Sequence, residues 1–293
     1  MRIGILCSGG DGSGVNACLY QLYKKLKKHE VVLFNHGLEG VINNEVSNVT
    51  FKDIKNAKND GGIIIKTSRS ERFLTTRGFN KFKENLEKNR IDLLIILGGN
   101  GSLLACKKIV QAGIKCAFIP LTIDNDLLES DYSIGFDTAV SNATYFIENI
   151  NKTMETFDRI CIYEVMGRNC PEIAIGVANN IKDSFLFKSG SKFEDCLDFV
   201  KKRLKVTTSP IIVLQENVIN GKELEEYLIQ NIKNCKIKFV QVGYFQRGGK
   251  PTEKEKIMAE NFANYLSKNI LKGCYNFIMS YNKKLNKFEV INI

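Results

Sequence analysis

The sequence lacks the features that mark exported, membrane-spanning or metal-binding cysteine-rich proteins. Its nine cysteines include no Cys-x-x-Cys pair, and several lie inside apolar runs, as Cys7 and Cys116 do. Such spacing is typical of reduced thiols in a hydrophobic core, so we expect neither disulfides nor a zinc site. No basic-then-apolar leader precedes the first strand-like run, and no apolar stretch approaches the roughly 20 residues of a membrane helix. We therefore expect a soluble, cytoplasmic protein without a membrane partner.

Basic residues interleaved with aromatic residues on one face are also missing, although the net charge is +10. The lysines are scattered in pairs such as Lys24-Lys25 and Lys107-Lys108, which favours a solvated surface over a nucleic-acid interface. Four arginines are placed differently, because each lies beside a glycine or at a strand end. They are Arg69, Arg159, Arg168 and Arg247. Such positions suit contact with an anionic ligand.

Short β-branched runs alternate with longer amphipathic segments, first over residues 3–119 and again over residues 159–244. This rhythm predicts parallel sheets in two α/β units, the second ending in a strand over residues 239–244. No proline-rich linker separates the units, and the boundary is predicted near residues 137–141. A long amphipathic helix over 253–271 and an edge-strand pattern over 288–293 follow, and these elements could return to the first unit.

Two glycine-rich loops, residues 8–14 and 98–102, each follow an apolar strand and lead into a helix. In open parallel sheets such loops lie at the carboxyl ends of the strands, where helix N-termini offer N–H groups to phosphate oxygens. No P-loop sequence is present, and the strand over 31–34 lacks the following acid that would bind a dinucleotide ribose. The alternatives are a tight glycine turn for the first loop and an unliganded helix capped by Ser102 for the second.

A third loop, residues 120–126, places the carboxylates of Asp124 and Asp126 on either side of an asparagine, with Thr122 upstream. Phosphoryl transfer uses one carboxylate to accept the proton of the attacking hydroxyl, another to hold Mg²⁺, and donors for the phosphoryl oxygens. The alternative is an acidic turn whose side chains serve only as caps. The glycine loops, together with the arginines in residues 166–168 and 246–249, favour phosphoryl transfer, because the planar arginine fork fits phosphate.

At these residues the chain resembles the 6-phosphofructokinase family, from residue 1 to about 290. The resemblance rests on six motifs that occur in the family's order. They cover residues 8–11, 98–102, 120–126, 134–139, 164–168 and 246–249. It implies an α/β fold of two three-layer αβα, Rossmann-like domains with mostly parallel sheets and an active site in the cleft between them. Residues 1–138 with 250–293 would bind the phosphoryl donor, and residues 139–249 the sugar phosphate.

The resemblance also implies a Mg²⁺-dependent, homotetrameric kinase of glycolysis that uses ATP to phosphorylate the 1-hydroxyl of fructose 6-phosphate. Asp124 would be the base, Thr122 and Arg168 the other catalytic residues, and Asn100 and Asp126 the metal contacts. ATP would lie along Gly10, Arg69, Ser70, Gly99, Asn100, Gly101 and Ser102. The sugar phosphate would contact Thr122, Asp124, Arg159, Met166, Gly167, Arg168, Glu216, Lys238, Tyr244 and Arg247. Arg159 and Lys238 match residues that in the family reach over from a neighbouring subunit.

The sequence departs from the family pattern where the donor and the effectors would bind. The family has an aspartate at the position of Asn100, and an asparagine offers a metal only a neutral oxygen. ATP users carry glycine at positions 101 and 121 and pyrophosphate users aspartate and lysine, whereas this chain has Gly101 and Leu121. The family's effector-binding positions hold Tyr20, Lys24, Phe51, Asn151 and Ser184 here, so we expect weak or absent control by ADP and phosphoenolpyruvate. A pyrophosphate-dependent enzyme, activity on another sugar phosphate, and a catalytically weak regulatory subunit remain open alternatives.

Overall fold

The computed structural model describes all 293 residues and contains ten strands and ten α-helices. The elements up to the sixth helix are β1 (Arg2–Ser8), α1 (Val15–Lys25), β2 (Glu30–Leu33), α2 (Gly37–Asn43), α3 (Phe51–Ala57), α4 (Thr76–Lys88), β3 (Leu93–Gly98), α5 (Asn100–Gln111), β4 (Cys116–Pro120) and α6 (Phe136–Thr156). The remaining elements are β5 (Arg159–Val165), α7 (Glu172–Asn180), β6 (Phe185–Phe187), α8 (Phe193–Arg203), β7 (Ile211–Gln215), α9 (Gly221–Asn231), β8 (Lys236–Gln241), α10 (Glu253–Leu271), β9 (Phe277–Asn282) and β10 (Lys287–Asn292). Short 3₁₀ helices lie at Arg72–Leu74 and Gly243–Gln246. No helix is both long enough and apolar enough to cross a membrane.

The chain divides into two compact units. The first comprises Met1–Asp137 and Gly248–Ile293, and the second comprises Thr138–Arg247. Helix α6 begins in the first unit and continues into the second. The last three elements, α10, β9 and β10, belong to the first unit, where both strands extend its sheet.

The sheet of the first unit has the strand order β2-β1-β3-β4-β9-β10. Its strands are parallel except for β10, which pairs antiparallel with β9 at the edge. The mostly parallel arrangement expected from the sequence is therefore confirmed. Strand β9 was not predicted from the sequence.

The central strands of this sheet are buried on both faces, which explains why they read as unbroken apolar runs. Ile95 and Leu97 of β3 pack with α1 and α10, whereas Leu94 and Ile96 pack with α4 and α5 on the opposite face. The alternation follows from the two-residue period of a strand. Each such side chain contributes about 1.5–3 kcal/mol by leaving water.

Neighbouring strands β1 and β3 send their connections to opposite sides of the sheet. β1 continues through α1 to β2, and β3 continues through α5 to β4. Helices α1 and α5 pack on opposite faces. The carboxyl ends of β1 and β3 therefore flank a topological switch point, where open α/β sheets bind ligands.

The second unit has a four-stranded parallel sheet in the order β6-β7-β5-β8. Helices α8 and α9 cover one face, with Leu197 and Leu224 packed against Ile162. The strand predicted over 239–244 is wrong in its bounds, because β8 ends at Gln241. Gly243 then adopts φ +57° and the chain enters a 3₁₀ turn, so the apolar residues after Gln241 are not extended.

Candidate active site

Three loops lie side by side at the carboxyl edge of the first unit's sheet. They follow β1, β3 and β4, which are adjacent and parallel. The two glycine-rich loops flank the switch point, and the acid-containing loop lies one strand further along. The sheet thus brings together the three segments that the sequence singled out.

The first loop, residues 8–14, is held in a conformation that requires glycine. Gly9 has φ +101°, and its N–H donates to the carbonyl oxygen of Ser68 at 3.0 Å. Gly14 is the N-cap of α1 with φ +95°. A Cβ on Gly12 would lie 3.1 Å from the Cα of Gly135. The loop is a tight turn at a helix N-terminus, a geometry that suits phosphate oxygens.

The second loop is fastened to the first by Ser102. Its hydroxyl donates to the carbonyl oxygen of Ser8 at 2.9 Å, and both residues are buried. A Cβ on Gly98 would lie 2.4 Å from the Cβ of Ser102, so only glycine fits at position 98. The expectation that Ser102 caps α5 is wrong, because the N-cap is Gly99 and the serine hydroxyl is bonded to β1 instead.

The acid loop is ordered by hydrogen bonds to its own backbone. The N–H of Asp124 donates to Thr122 Oγ1 at 3.2 Å, and the Asp124 side chain is buried. Ser133 Oγ donates to the carbonyl oxygen of Thr122 at 2.7 Å and contacts Asn125 Oδ1 at 3.1 Å. Since Thr122 Oγ1 accepts the amide proton, its own hydroxyl proton can be donated to a ligand.

Asn100, the first residue of α5, contacts the acid loop. Its Nδ2 donates to the carbonyl oxygen of Asp126 at 3.3 Å. No group of three or more His, Cys, Asp and Glu side chains is arranged to hold a metal ion. Mg²⁺ in phosphoryl-transfer sites is usually held by one or two carboxylates together with substrate phosphates. The oxygen donors of Asp126 and Asn100 fit that kind of site.

The segment with Arg69 and Ser70 is held by a carboxylate of α2. Glu39 accepts a hydrogen bond from the Ser70 hydroxyl at 2.5 Å and one from Arg72 at 2.5 Å. Arg72 also donates to Asn43 Oδ1 at 2.9 Å. The side chain of Arg69 is exposed, so a ligand can reach it.

In the second unit, the loop after β5 is held by two side chains from other elements. Glu216 Oε2 accepts the N–H of Gly167 at 3.0 Å and the N–H of Arg168 at 2.8 Å. Gln246 Oε1 accepts the N–H of Met166 at 2.8 Å. Arg168 has φ +52°, an unusual conformation for a non-glycine residue, and its side chain is exposed. Strain of this kind is often found at functional sites.

A second carboxylate, Glu164, lies at the same edge. Burial raises the pKa of Glu164 above its ordinary value. The hydrogen bond that it accepts from Gln241 at 2.7 Å works in the opposite direction, and the charge of Glu216 adds to the increase. Two carboxyl groups, those of Glu164 and Glu216, therefore lie at this edge together with the strained arginine.

Tyr244 and Arg247 lie at and just after the 3₁₀ helix that follows β8. The guanidinium of Arg247 is 5.6 Å from the centre of the Tyr244 ring, and Tyr244 is 81% exposed. Their strands place them at the same edge of the sheet as Met166 and Arg168, because β5 and β8 are neighbours and parallel.

Arg159 and Lys238 are not brought to that edge. Arg159 is the first residue of β5, opposite Lys236, and Lys238 pairs with Cys161. At about 3.3 Å per residue, Arg159 lies roughly 20 Å along the strand from the loop that follows it. Its guanidinium contacts the ring of Phe157 at 4.7 Å. The remaining predicted sugar-phosphate residues of this unit lie at the carboxyl edge.

Aromatic rings occupy part of the region expected to bind effectors in the family. Tyr20 stacks on Phe51 with ring centres 5.5 Å apart. The ammonium groups of Lys24 and Lys58 lie 6.0 and 5.2 Å from the Tyr20 ring. The loss of effector control remains a prediction.

Sequence reasoning missed the residues that hold the loops. Ser133 and Gln246 had a signal, since each lies in or next to a motif that was recognised. Glu39 had none, because its partners Ser70 and Arg72 lie more than thirty residues away in the sequence.

A family model for phosphofructokinase matches residues 2–270 of the chain. The ATP-dependent 6-phosphofructokinase of Sulfurihydrogenibium sp. (strain YO3AOP1) is 35% identical over 295 residues, covering 97% of this chain and 91% of that protein. The ATP-dependent 6-phosphofructokinase of Aquifex aeolicus (strain VF5) is 34% identical over 291 residues, with the same coverage of both chains.

Solved structures are similar in fold at lower sequence identity. The T-state crystal structure of Pichia pastoris phosphofructokinase has a TM-score of 0.89 at 21% identity, covering 99% of this chain but only 34% of that one. A pyrophosphate-dependent phosphofructokinase from Nitrosospira multiformis has a TM-score of 0.85 at 15% identity, covering 99% of this chain and 82% of that one.

Proposed function

The chain belongs to the phosphofructokinase family, and we propose that it transfers a phosphoryl group from ATP to the 1-hydroxyl of fructose 6-phosphate, giving fructose 1,6-bisphosphate. The observation that carries the proposal is the acid loop, in which Thr122 and the buried Asp124 lie at one sheet edge with two glycine loops. Relatives named as ATP-dependent 6-phosphofructokinases align with nearly the whole chain. The protein is accordingly an ATP-binding kinase of glycolysis.

Asp124 is assigned the role of general base. As the 1-hydroxyl oxygen forms its bond to phosphorus and the bond to the ADP oxygen breaks, the hydroxyl proton passes to the Asp124 carboxylate. The Thr122 hydroxyl donates to an oxygen of the moving phosphoryl group. The support for this assignment is that Thr122 Oγ1 already accepts the N–H of Asp124, which leaves its own proton to be donated. Arg168 offsets the charge that develops on the transferred group.

ATP is assigned to the two glycine loops and the neighbouring segment. The contacts are Gly10, Arg69, Ser70, Gly99, Asn100, Gly101 and Ser102. Ser102 acts by holding the loop, since its hydroxyl is bonded to Ser8 and its N–H to Gly99. The hydroxyl of Ser70 is likewise bonded to Glu39.

Mg²⁺ is assigned to Asp126 and Asn100 together with the phosphates of ATP. When bound, the ion neutralises charge on the phosphate oxygens. Asn100 contributes a neutral oxygen where a carboxylate would bind more tightly, so the half-saturating Mg²⁺ concentration should be high.

Fructose 6-phosphate is assigned to Met166, Gly167, Arg168, Glu216, Tyr244 and Arg247, besides Thr122 and Asp124. The exposed side chains of Arg168 and Tyr244 support this assignment. Glu216 also orders the loop through two backbone N–H groups, so its contribution includes shaping the site.

Arg159 and Lys238 are assigned to the sugar-phosphate site of a second copy of the chain, in a homotetramer. The support is their placement away from the carboxyl edge of their own sheet, at the beginning and the middle of their strands. We place the enzyme in the cytoplasm, a compartment that suits its nine free cysteines.

ATP rather than pyrophosphate is proposed as the donor because of positions 101 and 121. The Leu121 side chain is buried in the hydrophobic core and supplies no cation for pyrophosphate. A Cβ on Gly101 would meet no atom within 4 Å, which leaves open space beside the start of α5.

The test is an assay of purified protein with fructose 6-phosphate and Mg²⁺, given either ATP or pyrophosphate. We expect turnover with ATP and none with pyrophosphate, and a severalfold lower half-saturating Mg²⁺ concentration in Asn100→Asp. Turnover with pyrophosphate alone would overturn the donor assignment. A wild type that is inert with both donors beside an active Asn100→Asp variant would favour a regulatory subunit. Sedoheptulose 7-phosphate, tested in parallel, should be the poorer acceptor.

A further inference from the structure

We propose that Glu255 is a positioning residue whose buried carboxylate fixes the first glycine loop and the acid loop relative to each other, and thereby sets the KM for ATP and the rate of transfer. The kinetic part of this inference rests on the proposed function. The positioning of the two loops concerns the first unit alone, and hydrogen exchange can measure it without an activity assay.

Glu255 is a fully buried ionisable residue, with 0% of its surface exposed. Moving a carboxylate out of water costs several kcal/mol unless hydrogen bonds and opposite charge compensate. The hydroxyl of Tyr132 donates to Glu255 Oε1 at 3.0 Å, and this bond is itself buried. Burial and the negative charges of Glu255 and Asp137 raise the pKa of Tyr132, so its hydroxyl remains a protonated donor.

The N-termini of two helices, α10 and α1, lie close to the Glu255 carboxylate. Glu255 is the third residue of α10, and its N–H donates to the hydroxyl of Thr252, the N-cap, at 3.0 Å. A Cβ on Gly14, the N-cap of α1, would lie 2.8 Å from Glu255 Cγ and 3.6 Å from Cδ. Helix N-termini carry partial positive charge, so two of them stabilise a buried carboxylate.

The Glu255 side chain contacts the first glycine loop directly and is connected to the acid loop through Tyr132 and the two residues that follow it. Gly14 closes the first glycine loop, and Glu255 packs directly against it. Tyr132 lies next to Ser133, whose hydroxyl donates to the carbonyl oxygen of Thr122, and Ile134 accepts the N–H of Thr122 at 3.1 Å. A change at the carboxylate is therefore transmitted to the phosphate loop and to the catalytic threonine without any contact with substrate.

The test compares Glu255→Gln, Tyr132→Phe and the double variant with Glu253→Gln. Glu253 lies in the first turn of the same helix and is exposed, so its variant removes the same charge near the same helix end. We expect Glu255→Gln to lower kcat by about tenfold or more and to raise the KM for ATP severalfold, with the KM for fructose 6-phosphate within twofold, because small misplacements of reacting groups cost that much. Tyr132→Phe should give a smaller loss of the same kind. The double variant should lose less than the product of the two single losses.

Hydrogen exchange supplies a readout that does not need activity. Amide exchange over residues 12–15 and 132–134 should accelerate in Glu255→Gln and stay unchanged in Glu253→Gln. Wild-type kinetics in Glu255→Gln at a temperature where it is folded, or faster exchange confined to α10, would overturn the inference. If Glu255→Gln does not fold, Tyr132→Phe decides, and unchanged kinetics and exchange in that variant would equally overturn it. A wild type without ATP-dependent activity would defeat the proposed function but leave the exchange result to judge the positioning.

Discussion

The loops at the carboxyl edge of each unit are held by different kinds of hydrogen bond. In the first unit, buried groups join the loops: the hydroxyls of Ser102 and Ser133 donate to backbone carbonyl oxygens, and the fully buried carboxylate of Glu255 accepts a hydrogen bond from Tyr132. In the second unit, the loop after β5 depends on a partly exposed carboxylate, Glu216, which accepts two backbone N–H groups.

The two kinds of hydrogen bond respond differently to pH and salt. Hydrogen bonds in a dry site are little screened by salt, and those between neutral groups, such as the bond from Ser102 to Ser8, also keep their geometry as pH changes. Bonds to a charged, partly exposed group are stronger individually but are sensitive to protonation and screening. The edge with Asp124 is therefore preorganised for chemistry, whereas the edge with strained Arg168 is held by charge.

The largest effect is expected from Asp124→Asn in the preorganised edge. An amide keeps the shape but cannot accept the hydroxyl proton, so kcat should fall by about 10²–10⁴. Initial rates of fructose 1,6-bisphosphate formation measure the loss. Asp126→Asn is the matched control, and its activity should recover at high Mg²⁺ whereas that of Asp124→Asn should not. More than a tenth of wild-type kcat in Asp124→Asn would show that the base is elsewhere.

A smaller but still large effect is expected from Glu216→Gln in the charge-held edge. Both N–H groups donate to the same oxygen, Glu216 Oε2, so the glutamine carbonyl oxygen can still accept them, but both hydrogen bonds lose the charge of the acceptor. Hydrogen bonds to charged groups are worth about 1.5–3 kcal/mol, so kcat/KM for fructose 6-phosphate should fall about tenfold to hundredfold. The KM for ATP should not change. Glu226→Gln, on the exposed side of α9, is the control, and an equal loss there would remove the special role of Glu216.

The parts of the fold that were predictable from sequence are those set by local patterns. β1, β3 and β7 are short apolar runs followed by turn residues, and each lies within the stretches where the sequence predicted alternating strands and helices. The error at β8 has a local cause that the pattern hides, since Gly243 turns a continuing apolar run out of the sheet. Strand β6 was missed because it has only three residues.

The residues of the candidate site likewise fall into those that a local sequence pattern reveals and those that it does not. The Thr122 and Asp124 pair was evident because it lies within a single loop. The bonds that shape the site join residues far apart in sequence: Ser102 and Ser8 are separated by 94 positions, and Glu255 and Tyr132 by 123. Such pairs are created by the order of strands in the sheet, which one sequence does not reveal in detail.

A moderate effect is expected from Ser102→Ala. The variant leaves the buried carbonyl oxygen of Ser8 without this donor, which should cost about 1–3 kcal/mol of stability and raise the KM for ATP severalfold. Because the lost bond is neutral, the drop in melting temperature should be the same at pH 6 and pH 8 and at low and high salt. Thermal unfolding under these four conditions measures it, with exposed Ser189→Ala as the control. A salt-dependent loss would contradict the contrast between the two edges.

The smallest effect concerns the pH dependence of the charge-held edge, tested with Glu164→Gln. Burial raises the pKa of Glu164 above its ordinary value of 4.5, so the folded state binds this proton more tightly than the unfolded chain does. The contribution of the Glu164 proton to stability is complete below pH 4.5 and is lost as pH rises through the folded pKa. The melting temperature of Glu164→Gln should therefore gain on that of wild type by about 1–3 °C between pH 4 and pH 7, a small gain because the group is partly screened by solvent. A pH-independent difference would mean that protonation of Glu164 does not affect the stability of this edge.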